Sequence, residues 1–188
     1  VALTDTRGLP LIGGENWSNG KLPSIYQGTM VRPVAPRIFN LDPPRHLKGS
    51  PQEEQLRLLD RLNREHLSRH PGENDLEARM KSYGLAARMQ VAAREAFNIS
   101  GEAEATKKMY GIDQNITRDY GTRCLIARRL VERGVRFVQI LCHSQVWDHH
   151  GSIKTALPDR CVEVDKPAAA LVRDLKERGL LDSTIVHW

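Results

Sequence analysis

The chain has 188 residues and a mass of 21.3 kDa, which is enough for one compact domain and excludes a peptide hormone or a knottin. Hydrophobic residues make up 40% and charged residues 27% of the sequence, so general disorder is not expected, and no segment approaches the roughly 18 apolar residues of a membrane span. The net charge of +5 is modest, and because zinc-finger spacing and interleaved aromatic and basic residues are both lacking, we expect no nucleic-acid partner.

The two ends of the sequence are apolar. It begins with Val1-Ala2-Leu3 and stops at Trp188 inside a run, 184–188, that has the composition of a strand. We therefore expect the chain to be an internal part of a longer protein.

Turn-forming residues dominate residues 1–50. Glycines and prolines interrupt every long periodic pattern there, among them Gly13-Gly14, Pro33 and Pro43-Pro44. This segment is predicted to be a loop-rich arm with short strands.

Residues 51–134 are predicted to be helical and to begin with a helical hairpin. The first helix has Ser50 as its cap and Pro51 at its first position, and it ends at Pro71-Gly72. A second cap at Asn74 opens a helix that runs to about Phe97. One face of the first helix carries Leu56, Leu59, Leu62 and His66. The expected inner face of the second helix carries Leu76, Met80, Tyr83, Ala87 and Val91.

Two further helices complete this region. A short one follows Ser100, and a longer one runs from about Thr117 to Glu132 and stops at Gly134. Arg128 and Arg129 of the longer helix are interpreted as charges on the helix surface.

Residues 135–188 predict a strand–helix–strand unit. Residues 135–142 are nearly all β-branched or aliphatic, which is typical of a strand covered on both faces. A polar turn follows from His143 to Gly151, and then a helix over about 159–178 that Gly179 ends. A strand near Thr184 would complete a parallel crossover, so the fold class is α/β: a parallel sheet with packed helices, beside the loop-rich arm and the helical hairpin.

The turn after the strand 135–142 is the candidate site, because ligands of open α/β sheets bind at the carboxyl ends of the strands. Trp147-Asp148-His149-His150 offers a carboxylate and two imidazoles, which suit a divalent cation. Since neighbouring side chains of an extended turn diverge, we expect only one histidine to join Asp148, and His143 is a further candidate. The alternative is that these groups cap the following helix or bond the loop backbone.

Other candidate groups are less informative. Asn16, Trp17 and Asn19 lie in a glycine-containing loop that could approach a ligand, but the pattern matches no phosphate-binding or dinucleotide motif and suits a plain surface loop. Motifs of serine hydrolases, zincins and NTPases are not found. The cysteines have no Cys-x-x-Cys spacing and are expected to be buried thiols; they are Cys124, Cys142 and Cys161.

Several separate segments carry a family resemblance that covers nearly the whole chain. They include Asn-Trp-Ser-Asn-Gly at 16–20, Tyr-Gln-Gly-Thr at 26–29, Asn-Leu-Asp-Pro-Pro at 40–44, Ala-Arg-Arg-Leu-Val-Glu-Arg-Gly at 127–134 and Trp-Asp-His-His-Gly at 147–151. In this order they resemble a large uncharacterised bacterial family, a domain of unknown function common among exported proteins. That family is placed with the sulfatase-like branch of the alkaline phosphatase superfamily.

The resemblance implies that the chain is a central fragment of an alkaline-phosphatase-like fold. It implies a divalent metal ion, whether zinc, calcium, magnesium or manganese, with Asp148 and His150 as ligands and His143 and His149 as supporting or proton-handling groups. The nucleophile would precede Val1, and further ligands would follow the end of the chain. One residue separates Asp148 from His150, whereas three are more usual in the superfamily.

The expected function is hydrolysis of sulfate or phosphate esters, of small molecules or polysaccharides, by an exported or periplasmic enzyme of which this fragment alone would be inactive. The alternative is a non-catalytic member of the same fold that binds a polymer or a protein through the Trp17 loop and the helical hairpin. The catalytic residues, the substrate, the metal and the oligomeric state stay open at this point.

Overall fold

A computed structural model gives the fold of this chain. It describes residues 1–23, 26–34, 37–38, 46, 50–72, 76, 80, 84 and 95–188. The chain divides into two compact units. We call the first the sheet unit; it comprises Val1–Trp17, Thr29–Arg37 and Ala96–Trp188. We call the second the α1 unit; it comprises Ser18–Gly28 and Ile38–Glu95 and is named after its helix α1 (Ser50–Arg69).

The described residues of the sheet unit form a small open sheet of three parallel strands. The strands are β1 (Ala2–Leu3), β2 (Met30–Val31) and β3 (Gln139–Ile140), in the order β2-β1-β3. Both residues of β1 are buried, because this apolar strand has a neighbour on each side. The mixed α/β class with a parallel sheet is thus confirmed. β1 and β2 lie in the arm, residues 1–50, that was predicted to carry short strands. The Pro43-Pro44 pair of this arm lies outside the described residues.

β3 is shorter than the strand predicted over 135–142. Only Gln139–Ile140 pair with β1, since β1 is itself two residues long and offers no longer edge. Phe137 is exposed, so the prediction of a strand covered on both faces was wrong for the start of this segment.

The second strand predicted near Thr184 is not formed. Thr184 has extended φ and ψ angles of −127° and 123°, but residues 184–188 pair with no strand in the described part of the chain. The ring of Trp188 instead packs edge-on against Trp147, with 5.9 Å between the centroids, and Ile185 is 94% exposed. The predicted strand–helix–strand crossover therefore lacks its last strand.

The α-helices of the sheet unit follow the predicted order. They are α2 (Glu104–Met109), α3 (Arg118–Glu132) and α4 (Ile153–Glu177). Gly134 and Gly179 follow α3 and α4 with φ angles of 79° and 67°, the left-handed conformation that glycine adopts at helix ends. α4 starts before the predicted residue 159, because it accommodates Pro158 within its early turns. Among the described residues, no helix has both the length and the apolar character needed to cross a membrane.

The apolar core of the sheet unit lies between α3 and α4. Its buried members are Tyr110, Tyr120, Cys124, Leu125, Val164 and Ala170. At Gly121 the backbone packs so closely that an added Cβ would lie 2.1 Å from the backbone oxygen of Tyr110. Cys124 is buried as predicted, whereas Cys161 is exposed, because it lies on the face of α4 away from this core.

Arg128 is buried rather than exposed on the surface of α3. Its side chain is 2% exposed, and its guanidinium lies 2.8 Å from Glu102, 2.6 Å from Glu132 and 3.0 Å from Asp174. Arg129 is mostly buried and pairs with the same Glu102. The interpretation of both arginines as surface charges was wrong, because carboxylates distant in sequence compensate for the loss of hydration.

α1 confirms the first predicted helix, and Gly72 follows it with a φ of 94°. Leu56, Leu59 and Leu62 of this helix are exposed. The second helix of the predicted hairpin, from Asn74 to about Phe97, lies mostly outside the described residues.

Candidate functional site

The carboxyl ends of β1 and β3 bring Asp5 and His143 together. Asp5 follows β1 and His143 follows β3, and because the strands are parallel their ends meet at one edge of the sheet. Nδ1 of His143 lies 3.2 Å from Oδ2 of Asp5, whose side chain is completely buried. The backbone N–H of Ser144 donates to the carbonyl of Leu9 at 2.8 Å and holds the two segments side by side.

Two arginines surround the Asp5 carboxylate. Arg7 donates from Nε to Oδ1 at 3.0 Å and from Nη2 to Oδ2 at 2.9 Å, and Arg123 donates from Nη2 to Oδ2 at 3.1 Å. Burial by itself would raise the pKa of Asp5, but the hydrogen bonds from Arg7 and the charge of Arg123 outweigh it and hold this pKa well below its usual range. Asp5 is therefore ionised in the folded chain at neutral pH.

Both arginines are themselves anchored to helices. Arg123 of α3 is buried, donates to the carbonyl of Leu141 at 2.5 Å and lies 2.7 Å from Asp119. Arg7 donates from Nη1 to Glu163 of α4 at 3.1 Å. Asp5, Arg7, Arg123, His143 and Glu163 thus form one connected group, which we call the Asp5 cluster. It ties the two strand ends to α3 and α4.

The two ring nitrogens of His143 differ in their surroundings. Nδ1 is buried against Asp5, although its N–H direction falls short of a straight hydrogen bond to the carboxylate. Nε2 is not among the buried atoms, and it makes no hydrogen bond to any residue that the structure describes. The His143 side chain is 21% exposed, so the ring is partly accessible at the sheet edge.

Asp148 and His150 also lie together, on the loop between β3 and α4. Nε2 of His150 is 2.9 Å from Oδ2 of Asp148, and the two side chains are 89% and 47% exposed. The backbone N–H of Asp148 donates to Gln145 at 2.9 Å, which closes a turn. Ser144 and Ser152 bound this loop with left-handed φ angles of 46° and 54°, so its path is set by two unusual backbone conformations.

The contacts of this pair bear on the alternative in which it caps α4. Ser152 at the start of α4 has no side-chain cap, and within the described residues Asp148 and His150 have each other as their side-chain partner. Neither of them caps the helix or bonds the loop backbone there. His149 points elsewhere, with its Nε2 buried and without a partner in the described residues.

A comparison with known families identifies the chain. A family model described as "Protein of unknown function (DUF1501)" matches residues 1–188. The chain belongs to the DUF1501 family. This confirms the domain of unknown function to which the sequence segments pointed. No curated protein and no solved structure matches the chain.

The Asp148–His150 pair of this DUF1501 chain combines a carboxylate oxygen with an imidazole nitrogen, which are donor types that divalent cations bind. The two atoms lie 2.9 Å apart, a hydrogen-bond distance. No group of three or more histidine, cysteine or acidic residues that could hold a metal occurs in the described ranges. Within the described residues the pair offers two possible ligands and no complete metal site.

The predicted ligand loop uses its polar groups locally. Nδ2 of Asn16 donates to Gly13 at 3.0 Å inside the 3-10 helix Gly13–Trp17. In the α1 unit, Nδ2 of Asn19 donates to the carbonyl of Leu22. These amides are committed to turns, which favours the plain surface loop over a ligand loop.

Sequence reasoning missed the Asp5 cluster apart from His143. The available signal was Asp5-Thr6-Arg7 directly after an apolar run, which places an acid and a base at the end of a strand. Arg123 had no such signal, because it is one of several arginines on an amphipathic helix.

Proposed function

We propose that this DUF1501 chain is the central part of a metal-dependent hydrolase of sulfate or phosphate esters. The observation that supports it is the Asp148–His150 pair, 2.9 Å apart on the loop after β3. Ligands of open α/β sheets bind at this edge. The resemblance to the sulfatase-like branch of the alkaline phosphatase superfamily points to the same two residues, and the alkaline-phosphatase-like fold and export from the cytoplasm belong to this proposal.

The residues of the loop would hold and orient the metal. Asp148 and His150 provide an oxygen and a nitrogen that already face each other, so little rearrangement is needed for both to bind one ion. A divalent cation bound there would polarise a phosphoryl or sulfuryl oxygen and lower the pKa of the attacking group. The backbone hydrogen bond from Asp148 to the carbonyl of Gln145 closes the turn that carries this carboxylate.

Metal content and hydrolysis test this proposal together. The full-length protein would be loaded with zinc, calcium, magnesium or manganese, dialysed, and assayed by elemental analysis and with aryl phosphate and aryl sulfate. We expect the Asp148→Ala/His150→Ala variant to lose the bound metal and at least about 100-fold in kcat/KM, since even loss of a group that supports a ligand costs 10–100-fold.

A matched control removes the same chemical groups elsewhere. Asp60 and His66 are exposed residues of α1, and the Asp60→Ala/His66→Ala variant should keep both metal and activity. Unchanged metal content in the Asp148→Ala/His150→Ala variant would contradict the ligand assignment. Absence of ester hydrolysis in the metal-loaded protein would contradict the hydrolase itself.

One observation favours a second candidate, a non-catalytic binding domain. Leu56, Leu59 and Leu62 of α1 form an exposed apolar row, and such rows are typical of surfaces that bind another molecule. Hydrolysis that is lost in Asp148→Ala but kept in Trp17→Ala and in Leu59→Ser would exclude this candidate, and the reverse pattern would favour it.

A further inference from the structure

We propose that His143 handles the proton in the proposed ester hydrolysis and that Asp5 is its positioning residue. This inference rests on the proposed function, and it adds a second group of residues to the Asp148–His150 pair. Asp148 and His150 would bind the metal, whereas His143, at the start of the same loop, would meet the reacting oxygen through Nε2.

The charge on Asp5 determines which nitrogen of His143 carries the proton. An ionised carboxylate accepts hydrogen bonds and cannot donate one, so the nitrogen that faces it must be protonated. That nitrogen is Nδ1, 3.2 Å from Oδ2. A neutral imidazole with its hydrogen on Nδ1 has its lone pair on Nε2, which is the form that accepts a proton. A small rotation of the ring, which is soft for histidine, straightens the Nδ1–H contact.

The position of Asp5 is fixed from several sides. Arg7 holds it with its backbone N–H at 2.9 Å and with two guanidinium contacts, and Arg123 holds it from α3. These arginines, with Glu163 beyond Arg7 and Asp119 beyond Arg123, are the charged groups around the Asp5–His143 contact. A carboxylate held by so many donors orients its histidine without moving itself.

The backbone beside His143 leaves room for the ring. Gly8 has a φ of 147°, a conformation that favours glycine, and a Cβ added there would lie 3.9 Å from Cβ of His143. The segment after β1 therefore packs along one side of His143, whose side chain stays 21% exposed.

The proton transfers balance without any further reactant. The hydroxyl oxygen of the attacking group forms a bond to phosphorus or sulfur while Nε2 of His143 accepts its proton. The bond from phosphorus or sulfur to the ester oxygen breaks, and the proton passes from Nε2 to the leaving alkoxide. If the attacking group is a residue rather than water, a water repeats the same two transfers on the covalent intermediate and releases that residue. In either case one water is consumed, an alcohol and a phosphate or sulfate are released, and His143 returns to its starting form.

Nitrogen NMR of the histidine rings tests the positioning role without any assay of activity. The full-length protein would be labelled with ¹⁵N-histidine, and the His143 signals would be assigned from their loss in His143→Gln. We expect wild-type His143 to be protonated on Nδ1 and bare on Nε2, and Asp5→Asn to shift the ring toward the other tautomer. Asp60→Asn is the matched control and should leave the His143 signals unchanged.

The outcomes separate this inference from the proposed function. A wild-type His143 protonated on Nε2, or the same tautomer in wild type and in folded Asp5→Asn, overturns the positioning role; if Asp5→Asn does not fold, the wild-type spectrum decides. In a protein that hydrolyses esters, we expect His143→Gln to lose about 100-fold or more in kcat with its metal content unchanged, the usual contribution of a proton-transfer group. An unchanged kcat overturns the catalytic role. The NMR spectrum can show the expected tautomer while the metal-loaded protein hydrolyses no ester. That result would overturn both the proposed function and the catalytic role of His143, and would leave the positioning role of Asp5 intact.

Discussion

Asp5→Asn should destabilise the sheet unit strongly, because it removes the charge from a fully buried carboxylate. Arg123, itself buried, would keep Asp119 as its charged partner, and Arg7 would keep Glu163. Removing one partner of a buried ion pair costs about 3–5 kcal/mol. Since asparagine retains one carbonyl acceptor, we expect the lower end of that range, about 3 kcal/mol at pH 7.

The effect of this substitution should shrink in acid. The pKa of Asp5 is lower in the folded chain than in the unfolded chain, so its stabilising contribution is complete above the unfolded value of about 3.9 and is lost as the pH falls toward the folded value. At pH 3 the unfolded carboxyl is mostly protonated while the folded one is still ionised. The linkage relation then makes the contribution of Asp5 about 1.3 kcal/mol smaller than at pH 7.

Urea unfolding followed by tryptophan fluorescence would measure both quantities. The tryptophans of the chain are Trp17, Trp147 and Trp188, and all lie in the sheet unit. Asp60→Asn, at an exposed ion pair of α1 with Arg64, is the control and should change stability by less than about 1 kcal/mol. A loss below about 1 kcal/mol for Asp5→Asn, or a wild-type-to-variant difference that does not shrink at pH 3, would refute the reasoning from buried charge.

Two further predictions concern the core between α3 and α4. Alanine in place of a helical glycine normally stabilises by up to about 1 kcal/mol, but Gly121→Ala should destabilise by about 1–3 kcal/mol because its Cβ would meet the oxygen of Tyr110. Gly101→Ala, with nothing near the added Cβ, is the control, and a more stable Gly121→Ala in thermal unfolding would contradict the packing. Iodoacetamide at pH 8 should modify the exposed Cys161 and spare Cys124, because burial raises the pKa of Cys124 to about 12; equal labelling in peptide mass maps would show that Cys124 is accessible.

Helix ends were predictable because their signals are local. Ser50-Pro51 marked the start of α1, and Gly134 and Gly179 marked the ends of α3 and α4, where the structure shows the left-handed φ angles that favour glycine. Strand lengths were less predictable. Residues 135–142 have the composition of a long strand, but pairing depends on a neighbour, and β1 provides only two residues.

The candidate site was predictable only in part, for a related reason. Asp148, His150 and His143 lie within one short segment, so the sequence alone showed them as a group of polar residues after a strand. Asp5 is 118 positions from Arg123, and Arg7 is 156 positions from Glu163, and no periodic pattern relates residues so far apart. The same limitation explains why Arg128 looked like a surface charge.

The central place of β1 in the sheet has a consequence for synthesis of the chain. Ala2 of β1 pairs with Gln139 of β3, 137 positions later. At about 5–20 residues per second, a ribosome needs roughly 7–27 s to make that stretch. β1 can pair with β2 early, but one of its edges stays open until β3 is made, and Arg7 meets Glu163 only after α4 is made. The nascent chain therefore carries an unpaired strand edge for many seconds, a state that favours binding by chaperones and makes late closure of the sheet edge the expected last step of folding.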